Sequence, residues 1–203
     1  RYGSSRIAWK LASVVNAAAT SGRCAVALWI VESLLPTCSA KARSARPARY
    51  PATPPAGGGI RVAIRDAAGL RELDGVGAIP PGPLPPGMSI WIDAVAPSPD
   101  DVAAITAALG LHALIAEDIL EGNQRSKIEV TEDHIQIVLF ALVYGDPIVA
   151  SEIDIVLGDR FLLTVHDADW EPRETYHLRG GALGTVLARG PDHLLWAICD
   201  DLV

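Results

Sequence analysis

Aromatic side chains make up only 5% of this 203-residue chain, which also holds one methionine and three cysteines. Half of the residues are apolar, so aliphatic side chains must fill most of any core. Cys24, Cys38 and Cys199 are odd in number and widely spaced, giving neither a disulfide framework nor the CxxC spacing of a zinc site. A reducing compartment is the simpler reading. Positive charge is also scarce. The net charge of -7 argues against a general nucleic-acid binder, which would be basic. After Ile60 no run reaches the roughly twenty apolar residues that a membrane helix needs. Several catalytic signatures are missing as well. The Gly57-Gly58-Gly59 triplet follows a Pro/Ala-rich stretch, so it is not a phosphate loop between a strand and a helix. There is no nucleophile elbow and no HExxH.

What charge there is falls unevenly. Residues 1–60 carry eight Lys or Arg against Glu32 alone, a balance of +7. Residues 61–203 carry nine basic residues and twenty-three acids, a balance of -14, which would suit cations or a basic partner. The run "SARPARYPATPPAGGG" has little to bury, and residues 1–59 are expected to be a basic, Pro/Ala/Gly-rich, disordered extension. Upstream, "LASVVNAAATSGRCAVALWIVESLLP" is apolar but is interrupted by Asn16, Ser21, Arg23 and Glu32, so it makes a poor membrane span. Its Arg-rich, acid-poor surroundings have the flavour of a transit peptide. The chain begins with Arg1 rather than Met, which reads as a fragment.

From residue 60 to about 190 the pattern predicts a mixed α and β domain with a largely antiparallel sheet covered by helices. "IRVAIRD" alternates as a half-buried strand and "MSIWIDAV" is a second. Between them "AIPPGPLPPG" can be neither helix nor central strand. Ser98, Pro99 and Asp101 then form a helix start of the capping-box kind, and Gly110 supplies the stop. A second helix runs from about His112 to Glu121 and stops at Gly122. "KIEVTEDHIQIVLFALVY" reads as two strands about Glu132-Asp133. Gly145-Asp146-Pro147 turns the chain, and "IVASEIDIVLG" and "RFLLTVHD" are two more strands. "RGGALGTVLARG" is a weak helix, and "GPDHLLWAICDDLV" starts a helix that is still running at the last residue.

Two groups of residues could carry chemistry. His166, Asp167 and Asp169 cluster at a strand end and could serve an enzyme or a soluble binding module, or form a solvated turn. Glu117, Asp118 and Glu121 crowd one helix end, and Asp200 and Asp201 sit near the end of another. Carboxylates are hard ligands suited to Mg²⁺ and similar ions. A bound cation would relieve the Glu117/Glu121 repulsion. Alternatively these acids face water, or pair with Arg125 and Lys127.

The run "GLHALIAEDILEGNQRSKIEVTEDHIQIVL" resembles the cytoplasmic domain of the CorA family of divalent-cation channels. That family shows Gly-(Ile or Leu)-His-Pro-Leu, then Glu-Asp, then Gln-Arg-Pro-Lys-(Val or Ile)-Glu. Here these are Gly110 to Leu114, Glu117-Asp118, and Gln124 to Glu129, with Ala113 and Ser126 in place of the prolines. "WIDAVAPSPDD", "RFLLTVHD" and "GPDHLLWAICDDLV" resemble flanking parts in order, the last as the entry to the stalk helix over residues 191–203. The resemblance implies a cytoplasmic Mg²⁺-sensing and gating domain of a magnesium/cobalt transport protein, cut before its membrane helices and its Gly-Met-Asn pore signature. It implies a homopentamer at the cell membrane with Mg²⁺, Co²⁺ or another divalent cation as regulatory ligand between subunits. The implied metal residues are Asp118, Glu117 and Asp200, with Glu121 and Asp201 as further acidic ligands, and no catalytic residue is implied. A zinc-transporting branch of the same superfamily remains the alternative.

Overall fold

The computed structural model describes residues 59–122, 124–143, 149–200 and 202. Expectations for the N-terminal extension, the Gly145-Asp146-Pro147 turn and Asp201 lie outside the described residues.

Seven strands form one sheet. In chain order they are β1 (Gly59–Asp66), β2 (Gly69–Asp74), β3 (Ser89–Val95), β4 (Lys127–Val130), β5 (Ile135–Val143), β6 (Val149–Leu157) and β7 (Phe161–His166). Their spatial order is β2-β1-β3-β7-β6-β5-β4. Only β3 and β7 run parallel among these neighbours; every other pair is antiparallel. The chain makes that parallel join through two helices and the β4–β6 meander, as a parallel pair requires a long crossover. β2 is a strand to which the sequence analysis gave no element.

Strand alternation sends side chains to two different cores. On one face Trp91, Ile135, Ile137, Ile153, Ile155 and Leu162 pack under the last two helices, α3 (Leu183–Leu187) and α4 (Pro191–Cys199). On the other face Val62, Ile90, Ile92, Val156, Leu163 and Val165 pack under α1 (Pro99–Leu109) and α2 (Ala113–Glu121), through Ile105, Leu111 and Ile115. The sheet is therefore the middle of three layers, which is why its central strands are apolar on both sides.

The helix boundaries follow from local chemistry. Ser98 and Asp101 form a full capping box, with Ser98 Oγ accepting from Asp101 N at 3.2 Å and Ser98 N donating to Asp101 Oδ2 at 3.0 Å. Gly110 and Gly122 end α1 and α2 in left-handed conformations with φ of 65° and 51°. His112 is the cap of α2, its Nδ1 accepting from Leu114 N at 3.2 Å. No helix among the described residues is long and apolar enough to cross a membrane.

Candidate functional site

The acids of α2 divide by face. Glu117 and Glu121 point outward, beside exposed Leu114 and Leu120. Asp118 turns toward the sheet. Its Oδ2 accepts from Lys127 Nζ on β4 at 2.6 Å and from Gln136 Nε2 on β5 at 3.2 Å. The Asp118 and Lys127 side chains keep 24% and 23% of their surface. Of the two basic partners that the sequence offered these acids, Lys127 is the one used by Asp118. Its hydrogen bond to Asp118 is the main reason that the Lys127 ammonium titrates above the ordinary lysine range.

Two further acids share that sheet face, and the sequence analysis did not single them out. Lys127 stands opposite Val138, and Val138 opposite Asp154, so Lys127 and Asp154 occupy one cross-strand row. Asp154 is 5% exposed, and its Oδ1 is shut from solvent with no hydrogen-bond partner among the described residues. Burial above all, then repulsion from Glu152 and Asp118, pushes its carboxyl up to about 7; Lys127 pulls it the other way. Glu152 accepts from Gln124 N through both oxygens at 3.2 Å. The readable signal was Glu152-x-Asp154-x-Val156, which puts two acids in phase with a buried apolar position.

Asp200 lies elsewhere. It caps the end of α4, on the opposite side of the sheet from α2. Its Oδ2 is 2.8 Å from His177 Nε2, and the His177 ring rests at 4.6 Å from that of Trp196. Asp200 Oδ1 is buried without a partner among the described residues. The predicted ligands Asp118 and Asp200 are therefore not brought together within one chain. Among the described residues no three His, Cys, Asp or Glu side chains stand together as a metal site.

The His166 group divides, with Asp167 and Asp169 exposed and the His166 side chain turned inward. His166 Nε2 is 3.0 Å from Asp93 Oδ1, and its Nδ1 is 2.7 Å from the Asp167 carbonyl. Thr164 Oγ1 also donates to Asp93, at 2.7 Å, and Arg61 bridges Asp93 to Glu171. Neither the His166 nor the Asp93 side chain reaches solvent. Burial by itself would raise the Asp93 carboxyl, but His166, Arg61 and Thr164 outweigh it and hold Asp93 below the usual carboxylate range.

Comparisons with known proteins complete the picture. In fold, the chain is similar to the soluble domain of CorA from Methanocaldococcus jannaschii, with a TM-score of 0.50 at 19% identity, covering 70% of this chain and 55% of that one. A weaker likeness, with a TM-score of 0.41, is to the complete CorA magnesium transporter of the same organism; it covers 53% of this chain and 32% of that one at 19% identity. In sequence it is 27% identical over 113 residues to "Putative metal ion transporter YfjQ" of Bacillus subtilis (strain 168), covering 56% of this chain and 35% of YfjQ. The chain thus spans about a third of the length of that curated relative. The architecture is that of a CorA-type soluble domain. The chain belongs to the family described as CorA-like Mg²⁺ transporter protein, whose model matches residues 87–203.

Proposed function

We propose that this chain is the cytoplasmic Mg²⁺-sensing and gating part of a CorA-like magnesium/cobalt transport protein that sits in the cell membrane through helices outside these residues. Residues 60–190 form the sensing domain, and residues 191–203 begin a stalk. Neighbouring copies, five in the full assembly, hold a divalent cation between Asp118 of one, once it is released from Lys127, and Asp200 of the next; Glu117 on the outward face of the same helix, with Glu121 and Asp201 close in sequence, adds charge.

The observation that carries this reading is the separation of Asp118 and Asp200 by the sheet. A cation that touches both must be shared between two chains. The donor chemistry fits a hard cation, because the ligands are carboxylates. Leu114 and Leu120, 61% and 50% exposed on either side of Glu117, supply an apolar surface for a second copy to cover. Loss of the cation restores repulsion across the seam and lets copies part, a ligand-biased two-state change. A zinc-handling role is the second reading, favoured by His177 beside Asp200, since imidazole suits zinc.

The test is thermal melting of the chain and of Asp118→Asn with MgCl₂, ZnCl₂ or KCl at matched ionic strength. Mg²⁺ should raise Tm saturably by mass action, and the variant should lose most of the rise. A response to Mg²⁺ that is equal in both proteins would end the proposal, and a response to Zn²⁺ alone would transfer it to the second reading.

A further inference from the structure

We infer that Lys127 is a tethered competitor for the cation position at Asp118, and that its ammonium sets the concentration of divalent cation needed to occupy that carboxylate. This rests on the reading above, in which Asp118 is a ligand.

The geometry gives the competition its strength. Asp118 Oδ2 already receives Lys127 Nζ at 2.6 Å and the Gln136 amide at 3.2 Å. Both charged side chains are about three-quarters covered, so water screens the pair less than it would a surface pair. Lys127 is fixed on β4 and Asp118 on α2, so the ammonium is always present. A short covalent tether corresponds to a local concentration of about millimolar or more, whatever the solution contains. A monovalent cation brings Asp118 no more charge than the ammonium it would replace. A divalent cation doubles the Coulomb attraction and can win the exchange. Such a carboxylate answers only to a plentiful divalent ion.

The displaced ammonium has other places to go. Glu129 Oε1 is 3.6 Å from Nζ in the present arrangement. Asp154 lies in the same cross-strand row on the same sheet face, with its buried Oδ1 lacking a hydrogen bond among the described residues. The exchange therefore moves the lysine charge from one acid to another and strands no ammonium.

The experiment titrates MgCl₂, with KCl holding the ionic strength, into the 203-residue chain and into Lys127→Met, Lys127→Arg and Asp118→Asn. Tm is the first readout. The ¹⁵N resonance of Lys127 Nζ in the wild type is the second. Lys127→Met should respond at roughly ten- to hundredfold lower Mg²⁺ than wild type, the range expected for losing one hydrogen bond to a charged group. Lys127→Arg, which keeps the charge, should stay within about twofold of wild type by the same reasoning. The Nζ resonance should shift with the wild-type midpoint. If Asp118→Asn abolishes the response but Lys127→Met leaves the midpoint unchanged, the inference falls and the sensing role stands. If Asp118→Asn changes nothing, or the wild type does not respond to Mg²⁺, both fall. Should Lys127→Met fail to fold, an Nζ resonance that stays in place through saturation overturns the inference.

Discussion

The imidazole of His166 meets the carboxylate of Asp93 at 3.0 Å, across two parallel strands and in a place that water does not reach. Arg61 and Thr164 complete the set of donors around Asp93. Asp93→Ala would leave Arg61 and His166 without their shared anion. The expected loss is about 3–5 kcal/mol, read by urea denaturation at pH 7. Because the folded state holds the Asp93 carboxyl below its ordinary value, its contribution is present at neutral pH. It is lost as pH falls through that depressed value. The stability difference between wild type and variant should therefore shrink in acid.

Asp154 has the opposite sign. Its folded-state carboxyl titrates at about 7 rather than in the carboxylate range, so the fold prefers the protonated form. The cost of ionising it is absent in acid, accumulates as pH rises toward about 7, and is complete above that. Asp154→Asn removes a charge that the fold resists. It should be more stable than wild type by up to about 4 kcal/mol at pH 8, and the gap should close by pH 4. Urea melts at both pH values check this; an equal gap at the two would contradict it.

The Ser98 capping box is exposed, and among the described residues the Ser98 hydroxyl bonds only to Asp101. Ser98→Ala should cost about 1 kcal/mol by loss of the N-terminal cap of α1, with no change in any response to Mg²⁺. Thermal melting in the two conditions measures both parts.

Leu120 is half exposed beside the outward acids of α2. Leu120→Glu should leave the unfolding free energy within about 0.5 kcal/mol of wild type, as surface changes do. If Mg²⁺ drives self-association as proposed, this variant should abolish it, followed by sedimentation velocity. Retained association would place the seam on another surface.

The elements that carry their own punctuation could be read from the chain. Ser98 with Asp101, then Gly110 and Gly122, fix α1 and α2 through contacts within four residues. β5 announces itself by the apolar run that follows Gln136. β2 does not, because as an edge strand it leaves Arg71, Glu72, Leu73 and Asp74 exposed and so shows no buried face. The site was legible only in part. The sequence offered Arg125 or Lys127 to the acids of α2, and choosing between them required knowing that β4 runs beneath that helix. His166 was grouped with Asp167 and Asp169 because they are close in sequence, whereas its carboxylate partner lies 73 positions away on the strand beside it. Such pairings are set by sheet order, which local pattern does not encode.

The sheet that parts α2 from α4 acts as an opaque wall between Asp118 and Asp200. A solitary copy is consequently blind to any ion that needs both acids. Under the proposed reading, such an ion would gauge the gap between neighbouring copies, and its signal would belong to the pair that shares it rather than to either copy alone.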